Sequence, residues 1–348
     1  MSLNPTISKK EEIIFTPNEN AKKLFQVIYH EKNKPEEDND ASKIKVSELI
    51  SRLAFYYEKI RNSVDYKEEY LLRKNSILRN LKRQVVIEGS LKIINAEEVA
   101  KNLLVELIRA GYLPNNKLPE TKIGEIAAII SKYLELRLSG LPKIADEKVR
   151  NKISRWIFTL AAAEIEEKLD INPVTQTAIS NLYELLSEHI ALPDGSIYQP
   201  DREIQIYLSI HRVFMKFDND MLEFLLLKYY NANWTKAGDK EIKYLTDHLE
   251  AVKTEIDAQI NHPLSAQLNK TINRYAVYST ILNDVISDNP IGVYESFKSD
   301  PKVFPRLVKK FAQKRYHQAK IKLRRAATRS IIYIFLTKMV LAVILEVP

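Results

Sequence analysis

Glu184, Glu188 and His189 are spaced to bring two carboxylates and an imidazole together on one helix, and Asp247 beside His248 offers a second acid–base pair. Both are ordinarily solvated helix faces, because Asp and Glu are abundant on exposed helices. The six histidines (His30, His189, His211, His248, His262 and His317) form neither H-E-x-x-H nor an i, i+4 pair, so no helical zinc site is indicated. Asp218, Asn219 and Asp220 with Glu223 share only acid content with a calcium loop, whose glycine and distant bidentate glutamate are missing. Helix capping accounts for them better.

The absence of cysteine removes disulfides, thiolate zinc sites, iron–sulfur ligation and a cysteine nucleophile. Only 7 glycines occur in 348 residues, all isolated, so neither a G-x-G-x-x-G turn nor a phosphate-cradling loop can be built. No catalytic residue, metal or cofactor is assigned, and the reading is of a non-catalytic protein.

Charge is the feature that points to a partner. Residues 1–300 hold 41 Lys+Arg against 44 Asp+Glu, a balance of −3, whereas residues 301–348 hold 12 against Glu346 alone, a balance of +11. The whole net charge of +8 therefore belongs to the last 48 residues, and that end expects an anionic partner. From Phe304 through Val308, Phe311, Ala319, Leu323 and Ala326 the apolar residues keep helical spacing, with most cations elsewhere. Lys309, Lys310, Lys314, Arg315, Lys320, Lys322, Arg324, Arg325 and Arg329 are assigned to anionic lipid headgroups, each worth about 1 kcal/mol near such a surface. The same charges hold this side of a membrane in the cytoplasm.

The run Ile331 to Leu345 follows, 15 residues interrupted by Lys338, where a full span needs about 20. Ten Ile, Leu, Phe and Val at roughly −0.3 to −0.6 kcal/mol each offset a central lysine at about +2.5 to +3.5, so insertion is near neutral or favourable. Ile331, Ile332, Ile334, Phe335, Leu336, Val340, Leu341, Ile344 and Leu345 are assigned to membrane insertion. The competing reading is a helix buried on all sides within the body. The chain stops two residues after Glu346, as would a piece whose continuation completes a span.

A second basic cluster, Arg73, Lys74, Arg79, Lys82 and Arg83, is interleaved with leucine and isoleucine and flanked by Glu68, Glu69 and Glu88. It reads as a solvated amphipathic helix, since the acids lower its potential for nucleic acid. Residues 207–234 are rich in aromatics: Tyr207, Phe214, Phe217, Phe224, Tyr229, Tyr230 and Trp234. They mark dense core, or a groove for a protein partner.

The elements that must position all this are helices. Apolar residues recur every three or four positions nearly throughout, with no period-two runs. The fold class is all-α, about a dozen helices in an irregular bundle or divergent α-solenoid, with a long basic C-terminal helix leading into an apolar segment. The expected helices cover about residues 20–30, 44–63, 66–87, 95–110, 119–138, 146–169, 174–191, 201–217, 221–230, 239–260 and 264–287, then a short piece after Pro290 and a long last one after Pro301. Asn95 with Glu98 makes a cap, and Ser139, Gly140 and Pro142 a stop. The polar stretch NKPEEDNDAS reads as a flexible loop. Four segments result: 1–42, an N-terminal helix and acidic linker; 43–300, a helical body; 301–330, the basic helix; and 331–348, the apolar segment. The N-terminus carries Lys9, Lys10, Glu11 and Glu12 where a signal peptide is apolar, which keeps the body cytoplasmic. The expected function is a scaffold or partner-binding module at the inner membrane surface. The alternative is a soluble protein gripping nucleic acid with residues 302–329.

Overall fold

Asn18, Asn95, Asp146, Asp218 and Asn289 each stand just before a helix and turn a side-chain oxygen onto its orphan backbone N–H groups. At Asn95 the oxygen accepts from Glu97 and Glu98 at 2.9 and 3.4 Å, and at Asp146 from Lys148 and Val149 at 2.7 and 3.0 Å. Asp218, first of the acidic stretch that also holds Asp220 and Glu223, accepts from the Met221 N–H at 3.2 Å.

The computed structural model describes residues 17–34, 42–47, 58, 69–87, 94–170, 172–300 and 302–346. Among them are twelve α-helices: α1 (Glu19–Lys32), α2 (Glu69–Lys82), α3 (Ala96–Arg109), α4 (Thr121–Gly140), α5 (Glu147–Leu169), α6 (Pro173–His189), α7 (Arg202–Phe214), α8 (Asn219–Tyr230), α9 (Asp239–Ile260), α10 (Leu264–Asp288), α11 (Pro290–Ser299) and α12 (Val303–Glu346). The chain is all-α, as expected. Most of the helix expected over 44–63 and most of the acidic stretch lie outside the described residues.

One expected boundary is corrected. Ile44 begins no helix: it is buried and extended, its N–H donating to the Leu118 carbonyl at 2.9 Å while its own carbonyl accepts from Asn116 at 3.2 Å. The stop expected at Ser139, Gly140 and Pro142 is where α4 ends, although Gly140 keeps right-handed angles and a Cβ on it would come within 2.4 Å of Leu249 Cδ1. Glycine there permits α4 and α9 to approach closely. Left-handed residues end two other helices: Gly111, with φ 78°, follows α3, and Lys216, with φ 61°, stands just beyond α7, where the Met215 and Phe217 N–H groups both return to the His211 carbonyl at 3.2 Å. A side chain in that region is strained, so Lys216→Gly is expected to raise stability by about 0.5–1 kcal/mol. A urea midpoint that stays put or falls would refute it.

The helices form two compact units. The larger comprises residues 35–173 and 182–276. Its centre is α5, which packs against α2, α4, α8 and α9 and buries Ile153, Trp156, Ile157, Leu160, Ala161, Ala162, Ala163 and Ile165. Its middle stretch, Trp156 to Ile165, is apolar nearly all round and so must be enclosed, as it is.

The smaller unit comprises residues 1–34, 174–181 and 277–348. Its core joins Leu24, Phe25 and Ile28 of α1, Val285 and Ile286 of α10, Val293 of α11 and Phe311 of α12. Phe25 meets Tyr294 edge-on with ring centroids 5.5 Å apart, and Phe297 lies 5.0 Å from Phe304. Lys32 Nζ donates to the last carbonyls of α10, Ser287 and Asp288, at 3.2 and 2.9 Å.

Candidate functional site

Helix α12 is one continuous element with two different ends. Its root is fixed by Phe304, Leu307, Val308 and Phe311 against the small core and by the Arg315 guanidinium, which grips Asp284 through two hydrogen bonds, one of 2.9 Å. Beyond Tyr316 only Ile321 and Ala326 are even partly covered among residues with a described side chain.

Lys309, Lys310, Lys314, Lys320, Lys322, Arg324, Arg325 and Arg329 are all exposed. At 100° per residue they spread over about 220° of the helix and leave a sector of about 140°, the one that holds Ala319, Leu323 and Ala326, without any of them. The cations therefore form a collar open on its apolar side. Arg315 departs from the expectation, since its charge is already committed to Asp284. No acid lies between Lys302 and Glu346 to offset the others.

Next comes the apolar segment. Ile331, Ile332, Ile334, Phe335, Leu336, Val340, Leu341, Ile344 and Leu345 are between 51% and 76% exposed. This overturns the buried-helix reading. Here apolar residues face all directions, interrupted by Thr337 and Lys338. The Thr337 hydroxyl is satisfied within the helix, donating toward the Tyr333 and Ile334 carbonyls at 2.8 and 3.0 Å. Fifteen helical residues measure about 22 Å, short of the roughly 30 Å hydrocarbon layer. Among the described residues no helix is long and apolar enough to cross a membrane, so the spanning form of the expectation is unsupported.

The acid–base candidates do not assemble. Glu184, Glu188 and His189 are exposed, and His189 Nδ1 is 2.7 Å from the Leu185 carbonyl. Asp247 is held by Lys143 at 2.5 Å, which keeps its carboxyl below the usual range, and His248 Nδ1 is 2.8 Å from the Tyr244 carbonyl. No group of three His, Asp or Glu able to hold a metal occurs among the described residues.

The second basic cluster is solvated only in part. Arg79 and Arg83 are solvated, but Arg73 and Lys74 turn inward. Lys74 is 0% exposed, with Nζ 2.5 Å from Asp218 and 2.6 Å from Asp220, while Arg73 grips Glu166 and Asp170. A second buried network was not anticipated. Lys132 Nζ donates to Glu164 at 2.6 Å and to the Trp234 carbonyl at 2.9 Å, Tyr133 donates to the other Glu164 oxygen at 2.7 Å, and Trp234 Nε1 donates to Tyr133 at 2.9 Å. Burial pulls the Lys132 ammonium below the usual lysine range, with Glu164 opposing. The signal was available: Lys132 is on the same helical face as Ile129, Tyr133 and Leu136, and Glu164 interrupts an otherwise apolar run.

In the aromatic region Phe224 and Trp234 are wholly buried, leaving Tyr229 and Tyr230 exposed. His211 is enclosed between Tyr207 and Phe217, with Nδ1 2.9 Å from the Tyr207 carbonyl. Burial pulls its imidazole down to about 4. The folded chain therefore stays unprotonated there while the unfolded chain takes a proton below about pH 6.5, so stability falls as pH drops from 6.5 toward 4. From pH 7 to pH 5 the wild type is expected to lose about 2 kcal/mol more than His211→Phe. Equal losses in urea titrations at the two pH values would contradict this.

The chain is thus an all-α protein with an exposed terminal helix, basic along its middle and apolar at its end. Compared with protein families, curated proteins and solved structures, it matches none.

Proposed function

We propose that this is a membrane-associated, non-catalytic helical protein whose α12 holds a cytoplasmic body against an anionic lipid surface. The supporting observation is the order along one exposed helix: a cationic collar, then a segment apolar on every side. Exposed apolar patches beyond a few hundred Å² are rare in monomers unless they meet a partner. An in-plane amphipathic helix needs a polar face, which residues 331–345 lack, so the segment enters end-on with the collar at headgroup level. Lys338 snorkels, and Tyr333 suits the interface. The body then serves as a scaffold, with Tyr229 and Tyr230 the accessible part of the aromatic region for a protein partner.

The test is co-sedimentation with phosphatidylcholine vesicles, with and without phosphatidylglycerol, comparing the full chain with one ending at Ser330. That truncation leaves Phe304, Phe311 and the Arg315–Asp284 pair intact, which one ending at Asp300 does not. The full chain should pellet with anionic vesicles and resist high salt, and the shorter chain should bind weakly and be released by salt. A full chain that stays in the supernatant refutes the reading. Steeply salt-dependent binding to RNA or DNA in its place would establish the nucleic-acid alternative.

A further inference from the structure

Thr328 and Ser330 stand exposed at the junction of the collar and the apolar segment. Arg324 and Arg325 precede Thr328 by four and three residues, and Arg329 follows it, whereas Ser330 has alanines at the corresponding upstream positions. A kinase groove lined with carboxylates can bind two such arginines and place the Thr328 hydroxyl for transfer. That requires the helix to open locally. Lys320 and Arg324, and Arg325 and Arg329, are like-charged i, i+4 pairs with no acid between them, and from Tyr316 onward tertiary packing is almost absent. A helix so placed melts readily.

We propose that Thr328 is the phosphate acceptor for an arginine-directed serine/threonine kinase, and that the phosphate releases α12 from anionic lipid. This rests on the membrane reading above. In the transfer, Thr328 Oγ1 attacks the γ-phosphorus of ATP. A new O–P bond forms, the bond from that phosphorus to the β–γ bridging oxygen breaks, ADP leaves, and the hydroxyl proton passes to the kinase's base. The product carries −1.5 to −2 charge at pH 7. It cancels about two collar cations, pairs with Arg324 and Arg325 in place of headgroups, and must be desolvated if the junction is to enter the interface. Binding to anionic vesicles should weaken on the order of 10- to 100-fold.

The experiment treats the full chain with such a kinase and ATP, maps the phosphate by mass spectrometry, and measures flotation with phosphatidylglycerol-containing vesicles. Thr328→Ala should take up no phosphate at that region and keep full binding, Thr328→Glu should bind more weakly, and the neutral Thr328→Gln should bind like the wild type. The proposal is overturned if Thr328 remains unmodified while a peptide carrying two arginines at the same spacing is fully modified. It is overturned equally if the phosphorylated chain floats as well as the unmodified one. When the unmodified chain does not float at all, it is the membrane reading that has failed, whereas normal flotation with no phosphate effect removes this inference alone.

Discussion

Glu164→Ala is expected to destabilise the larger unit by about 3–5 kcal/mol. The substitution leaves the Lys132 ammonium, only 8% exposed, with the Trp234 carbonyl and the faces of the Trp234 and Tyr133 rings but no counter-charge, and takes the acceptor from the Tyr133 hydroxyl. The cost comes from the charge left behind more than from the lost pair. Replacing both ions at once, Lys132→Met with Glu164→Leu, should therefore recover most of the loss. Trp156 and Trp234, the chain's two tryptophans, both belong to this unit, so their fluorescence in urea follows its unfolding. A loss below about 1 kcal/mol for the single substitution, or a double substitution worse than the single one, would remove the network from any account of stability.

Exchanging Lys320, Lys322, Arg324 and Arg325 for glutamine is expected to weaken binding to anionic vesicles by a factor on the order of 10² to 10³, at about 1 kcal/mol per cation. All four are exposed, which spares the smaller unit's core, and Arg315 is excluded because Asp284 already holds it. The change should also flatten the dependence on salt and leave binding to neutral vesicles as it was. Unchanged affinity in titrations at low salt would mean that the collar does not face lipid.

The helical framework was legible in the sequence because its signals are local. Asn95 and Asp218 cap helices as expected, and Asp239–Ile260 has the expected bounds, since a cap and its targets lie within three residues. What failed depends on distant partners. Ile44 is extended because Leu118 and Asn116 supply its hydrogen bonds. Lys74 is buried because Asp218 and Asp220, far along the chain, meet it, and no local pattern distinguishes it from a solvated lysine. Of the candidate site, the collar and apolar run were legible from composition alone. Their exposure was not, since a run of this length also suits a buried helix.

The chain has no cysteine, so Phe335→Cys provides a single attachment point for an environment-sensitive fluorophore near the middle of the apolar segment, where the native side chain is 62% exposed. Its emission on adding vesicles tests insertion more directly than any binding assay. A blue shift with phosphatidylglycerol vesicles, quenched by bromines on the acyl chains and unaffected by a water-soluble quencher, is the predicted result. Emission that stays at its aqueous wavelength, open to the soluble quencher at every lipid concentration, would mean that this segment does not enter a membrane.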